Sequence, residues 1–283
     1  MRGTIHLVSR RDFIAWRPIV QPVLTRAMQS ALGGATKALD VEAFHREARE
    51  IFSKRPCTFA ELRETLGRRL PKVDERVMGY CIKMQLPLVQ TPETGATWAY
   101  RAAADFALAD AWLGEPLSDV AEPHAMALRY FAAFGPASAK DLQTWSGLRN
   151  ARSTVDELRP RLLAFRDVDG RELFDVPRAP RPEEDVDVPV RFLPEFDSLL
   201  LAHDDRRRIV ADRHRPHLST RNLMIPAAFL VDGFVSGLWR VERKKEEARL
   251  VLAPFGALDR RTLEEEGERL LRFVEPDADT YVV

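Results

Sequence analysis

The chain has 283 residues, 45% of them hydrophobic and 30% charged, with 43 basic and 43 acidic side chains. This is an ordinary globular composition, long enough to bury two or three cores, and it excludes fibrous and disordered classes. Two cysteines without zinc-ligand spacing, Cys57 and Cys81, no apolar run of about 18 residues and no secretory leader exclude a disulfide scaffold and a membrane span, and point to the cytoplasm.

The chain opens on "MRGTIHLV", whose alternation from Thr4 to Val8 predicts a strand with one buried face. A long helix follows over Arg10–Leu32. Val41–Phe52 then repeats apolar residues at helical spacing, with Val41, Phe44, Ala48, Ile51 and Phe52 on one stripe. Next comes "PCTFAELRETLG", Pro56 to Gly67, and 80 residues later "PASAKDLQTWSG", Pro136 to Gly147. Five features coincide: Pro56 with Pro136, Thr58 with Ser138, Glu61 with Asp141, Leu62 with Leu142, and Gly67 with Gly147. Each hydroxyl can cap a helix and each acid three residues on can complete a capping box. The leucine faces inward, and the glycine is expected to end the helix.

The flanks repeat as well. A helix precedes each unit, over Val41–Phe52 and Ala121–Phe134. "VDERVMGYCIKMQ" and "ARSTVDELRPRLLAF" predict a third helix in each, and "LPLVQTPETGATWAY" and "AFRDVDGRELFDV" a closing hairpin. Asp169-Gly170 predicts a two-residue turn in the second hairpin. Helix, helix–turn–helix and hairpin is the order of a winged helix. The expectation is α+β: a first segment 1–38, winged helices over 39–118 and 119–177, a proline- and acid-rich linker 178–189, and a β-rich module 190–283. In that module Asp232-Gly233 predicts a second hairpin, and Arg260–Phe273 an amphipathic helix bearing Leu263, Leu270, Leu271 and Phe273.

The second helix of a helix–turn–helix enters the major groove. Lys72, Arg76 and Lys83 in the first unit, and Arg149, Arg152 and Arg159 in the second, are candidate DNA contacts, with acids interspersed. A denser cluster follows: Arg206, Arg207, Arg208, Arg213, His214, Arg215, His217 and Arg221, with Asp212 the only acid between them. With zero formal net charge, any grip on phosphates has to come from such local patches. The alternative for the cluster is a solvated loop pairing with Asp204, Asp205 and the acidic linker. His203 with Asp204 and Asp205 lacks metal-ligand spacing, and no nucleotide, flavin or nucleophile-elbow motif occurs, so no metal or cofactor is expected.

"FLPEFDSLLLAHDDRRRIV" and "VDGFVSGLWRV", together with "MRGTIHLV", resemble the bacterial winged-helix proteins related to AlkZ-type DNA glycosylases. Pro194, Phe196, Asp197, His203, Asp205 and Arg206 match that family's signature. The resemblance implies three tandem winged helices forming a basic concave surface for double-stranded DNA, followed by a β-rich part, in enzymes that excise alkylated bases and unhook interstrand crosslinks. In that frame residues 1–38 are the remnant of a first unit plus a connecting helix, with two alternatives open: Met1 is an internal methionine taken as the start, or the chain is a genuine truncation. Catalysis in the family uses a Gln-x-Gln or Gln-x-Asp pair. Here Gln21, Gln29, Gln85, Gln90 and Gln143 form no such pair, and no catalytic residue is assigned. An alkylated purine is already cationic and leaves readily, so the missing pair would have positioned water and stabilised the oxocarbenium-like sugar. Three readings therefore stand: a DNA-binding member without the catalytic pair, an active glycosylase whose start lies upstream, and a non-enzymatic regulator or protein-interaction scaffold.

Overall fold

Ser9 starts the first element by accepting the Asp12 backbone N–H at 3.1 Å, and α1 runs over Arg10–Leu32 as expected. The computed structural model describes residues 4–36, 40–92, 104–218 and 224–283. Before Ser9 the expected strand is absent over residues 4–8, and residues 1–3 lie outside the described part. No described strand pairs with this segment, and Ile5 and Leu7 are 68% and 82% exposed. Alternation alone does not hold an extended segment whose backbone has no ladder to join.

The first repeat contains α2 (Val41–Phe52), β1 (Cys57–Thr58), α3 (Phe59–Arg69), α4 (Glu75–Gln85), β2 (Leu88–Gln90) and β3 (Asp105–Leu108). Its antiparallel sheet has the order β1-β3-β2. The returning strand is β3, beyond the quoted hairpin segment; residues 93–103, which include the end of that segment, lie outside the described part. Phe44, Ala48, Leu62, Leu66, Met78 and Ile82 form the centre of the core, with Met28 of α1 packed among them. Each large side chain buried this way contributes about 1.5–3 kcal/mol. A short helix, α5 (Ala109–Leu113), follows.

The second repeat has α6 (Pro123–Phe134), α7 (Ala139–Ser146), α8 (Ala151–Leu158), β4 (Leu163–Arg166) and β5 (Glu172–Asp175). Its connectivity matches the first down to a detail invisible in the sequence. Cys57, just before the Thr58 cap, pairs with Phe106 of the returning strand; Ala137, just before Ser138, bridges Phe174 of β5. Both capping boxes form: Thr58 with Glu61, and Ser138 with Asp141. The glycines diverge. Gly147 ends α7 with φ +74°, whereas Gly67 lies inside α3 and helix continues to Arg69. The β4–β5 loop spans five residues, because the Asp167 carboxylate gathers the backbone N–H groups of Asp169 and Arg171 at 2.9 and 2.8 Å and widens the turn beyond two residues.

Residues 176–190 contain no helix or strand. Beyond them lie β6 (Arg191–Leu193), β7 (Ala228–Val231), β8 (Phe234–Lys244), β9 (Glu247–Pro254), α9 (Arg260–Val274) and β10 (Thr280–Val282). The sheet order is β10-β9-β8-β7-β6, antiparallel except for β10 on β9. Asp232 (φ +50°) and Gly233 (φ +76°) make the expected two-residue turn between β7 and β8, where both residues need positive φ. Leu263 and Leu271 of α9 are buried, but Phe273 is 56% exposed and falls off the apolar stripe.

The chain is thus mixed α+β. Its contacts define two compact units, Met1–Tyr130 with Ser146–Leu158, and Phe131–Trp145 with Arg159–Val283. No helix among the described residues is long and apolar enough to cross a membrane.

Candidate nucleic-acid interface

The stretch from Pro194 to Arg208 is held by its own polar groups. Phe196 takes φ +57°, and Asp197 accepts the Leu199 N–H at 2.8 Å, opening a short 3-10 turn. His203 is buried, its Nε2 lying 3.0 Å from the Phe134 carbonyl oxygen and 3.0 Å from Arg208 Nη1. Burial, with the Arg208 charge alongside, holds this imidazole below its ordinary range and therefore neutral. Arg208 also donates to the Pro136 carbonyl at 2.7 Å. Asp204 is tied to α7, its N–H donating to Asp141 at 2.8 Å and its carboxylate meeting Lys140 at 2.7 Å.

Asp205 and Arg207 belong to a charge network on the β4–β5 loop. Arg207 contacts Asp205 at 2.7 Å and Asp169 at 2.6 Å; Arg171 reaches Asp205 at 2.8 Å and Asp167 at 2.6 Å. The Arg207 hydrogen bonds pull the Asp205 carboxyl well below the usual carboxylate range. Of three consecutive arginines, Arg207 and Arg208 are engaged internally. The side chain of half-buried Arg206 has no hydrogen-bond partner among the described residues, its carbonyl accepting the N–H groups of Ile209 and Val210; burial and then neighbouring Arg215 lower its pKa. The pairing weighed from sequence thus occurs at Arg207 and spares Arg206.

Arg206 faces a second group on the 3-10 turn Asp212–Leu218. Arg213 Nε donates to His214 Nε2 at 3.1 Å, and Arg215 meets Asp212 at 3.3 Å across an exposed pair. His214 and His217 both lie against Phe255, at ring-centroid distances of 4.8 and 4.5 Å. Partial burial, then the charges of Arg213 and His217, lower the His214 pKa. Arg221 lies outside the described residues.

In the other unit, Lys72 is exposed in the turn before α4, Arg76 is in the first turn of α4, and Lys83 is on its exposed face with Nζ 5.4 Å from the Phe59 ring centroid. Arg149 is exposed just before α8, and Arg152 pairs with Asp156 at 3.2 Å. The sixth candidate, Arg159, lies beyond α8, spanning Glu172 at 2.6 Å and the Phe174 ring face. Sequence reasoning missed Arg26. It donates to the Gly147 carbonyl at 3.3 Å, while Arg76 reaches the Ala31 carbonyl at 3.4 Å. Five residues of helix separate these anchors, about 7.5 Å along the axis. The last turns of α1 therefore carry both the start of α4 and the segment leading into α8. Arg26 sits in an unremarkable helical stretch, with no local signal to mark it.

No pair of glutamines poised for chemistry emerges. Gln21 and Gln85 approach at 3.3 Å, but Gln21 also donates to the Met84 carbonyl and Thr25, and buried Arg17 bonds to Gln21 and the carbonyls of Met84 and Leu86. Burial lowers the Arg17 pKa to about 10. This group closes the C-terminus of α4. No described cluster of three or more His, Cys, Asp or Glu could hold a metal ion. An open cleft of about 560 Å³ is lined by Asp187, Asp232 and Asp259, the wrong sign for phosphate.

Comparison with known proteins bears on this arrangement. The sequence profile of the AlkZ-like family, described as DNA glycosylase AlkZ-like, matches residues 1–273. The chain belongs to the AlkZ-like family. Its fold is similar to that of the Streptomyces sahachiroi DNA glycosylase AlkZ, with a TM-score of 0.72 at 21% identity, over 100% of this chain and 80% of that one. No curated protein sequence matches. In this AlkZ-like chain His203 and Asp205 serve as internal anchors, while the Arg206 side chain has no hydrogen-bond partner among the described residues.

Proposed function

We propose that the two repeats are winged helices and that this AlkZ-like protein binds double-stranded DNA, with 190–283 as an appended β-rich module and 178–189 as a linker. The repeated connectivity carries the reading: a capped helix, a second helix with basic side chains, and a returning strand bridged to the residue before the cap. That order presents the second helix for groove contact, with phosphate contacts fixing its register. Lys72, Arg76, Lys83, Arg149 and Arg152 are the contacts on the repeats. Arg206, Arg213, His214 and Arg215 are those on the C-terminal module, and Arg207 and Arg208 hold the loop that bears them. The protein acts in the bacterial cytoplasm without cofactor or metal.

The chain lacks a Gln-x-Gln or Gln-x-Asp pair, and base excision is expected to be absent or severely reduced. Family membership favours a second reading, an active glycosylase of alkylated bases. Two measurements on the full chain decide. Anisotropy with a labelled duplex should show affinity falling linearly on a log–log plot against salt; no binding at low salt leaves the scaffold reading. Incubation with a duplex bearing an N7-alkylated purine should release no base above the spontaneous rate; release establishes the enzyme.

A further inference from the structure

We propose that His214, His217 and Phe255 form a stacking platform for an unpaired nucleobase, with Arg206, Arg213 and Arg215 gripping the phosphates beside it. The inference rests on the DNA-binding reading and names the form of DNA that this surface selects.

Phe255 packs on the cluster containing Leu200, Ile209 and Val210, which fixes its ring from within the module. Two imidazoles lie on it, His217 nearly parallel at 24° and His214 at 31°. His217 is exposed and His214 partly so, and no carboxylate is bonded to either ring among the described residues. The two imidazoles are tilted 46° to each other, so the fixed Phe255 ring supports two separate aromatic faces, and the exposed face of His217 is open to a base stacking through its π-face. In a paired duplex those faces are covered by neighbouring base pairs, so the platform meets a base only where stacking is already broken. The cationic rim suits the flanking backbone. Among the described residues the Arg206 side chain has no hydrogen-bond partner and the Arg213 side chain bonds to His214 alone, and Arg215 has a solvent-exposed ion pair, which is weak and easily exchanged for phosphate. The lowered His214 pKa keeps this ring neutral near pH 7, where a neutral ring gives up less hydration on stacking.

The test measures anisotropy of the full chain on two labelled 20-mer duplexes, one fully paired and one with a single bulged adenine. The wild type should bind the bulged duplex about tenfold more tightly, the size expected for stacking one base on an aromatic surface. The pair His214→Ala with His217→Ala should bring that ratio close to one, and the pair His214→Phe with His217→Phe should keep it. The pair Arg213→Ala with Arg215→Ala should weaken both duplexes alike and reduce the salt slope by about two. Equal wild-type affinity for the two duplexes, or an unchanged ratio in the alanine pair, overturns the platform. Loss of the ratio in the phenylalanine pair overturns it too, by showing that imidazole hydrogen bonding and not stacking selects the bulge. Failure to bind either duplex at low salt overturns the DNA-binding reading itself.

Discussion

The two repeats share a capping box, a helix pair and a bridged sheet, yet they use the box differently. In the first, Glu61 is half exposed and turns outward to Arg55 at 2.8 Å. In the second, Asp141 is 7% exposed, and its second oxygen accepts the N–H of Asp204, which is distant in sequence. One carboxylate thus finishes a helix, while the other finishes a helix and anchors the loop that carries His203 to Arg208. A repeated motif can keep its local job while one copy takes on a long-range one.

The sharpest way to break this comparison is to remove both acids. Asp141→Ala leaves the N–H groups of Ser138 and Asp204 without their acceptor and should cost about 3 kcal/mol. Glu61→Ala should cost clearly less, because water replaces the exposed carboxylate; urea unfolding of both variants reads the difference. Equal losses would mean that the Asp204 link contributes nothing.

The glycines should give opposite signs. At Gly147, φ is +74° and a Cβ would sit 2.6 Å from Val23 Cγ1, so Gly147→Ala should destabilise by roughly 2 kcal/mol. At Gly67 the space is open and the backbone helical, so Gly67→Ala should stabilise by roughly 0.5–1 kcal/mol. Melting temperatures that move in the same direction would undo the distinction.

Charge removal extends the contrast to binding. Arg149→Ala removes an exposed cation without a side-chain partner among the described residues and should lower the salt slope for duplex DNA by about 0.9. Arg207→Ala removes one held by two carboxylates and should leave the slope unchanged. The smallest effect is in acid. Glu61 is held down to about 2, first by Arg55 and then by Thr58, from an ordinary value of 4.5. The stability this adds is complete above pH 4.5 and disappears as pH falls toward about 2. Unfolding curves of the wild type and Glu61→Gln should converge over that interval and stay parallel above it.

Much of this architecture was legible because its signals are local. Capping boxes, helical stripes and the Asp232-Gly233 turn depend on residues within a few positions of one another. What escaped was set by partners distant in sequence. Ile5 and Leu7 alternate with polar neighbours like a strand, but no described strand pairs with them. Gly67 resembles Gly147 in sequence, yet only Gly147 takes a positive φ, where the chain turns beside Val23. Arg206, Arg207 and Arg208 are equivalent in sequence. Asp169, more than thirty residues upstream, and the Pro136 carbonyl, about seventy residues upstream, separate their roles.

The network joining His203, Asp205, Arg207 and Arg208 to the β4–β5 loop and the Pro136 carbonyl changes what its sequence motif can report. Residues facing one another answer to the demands of folding, so this stretch would survive intact in a chain that no longer excised bases. Its presence identifies the scaffold, and sorting enzymes from pure binders has to rely on the side chains that scaffold turns toward the outside.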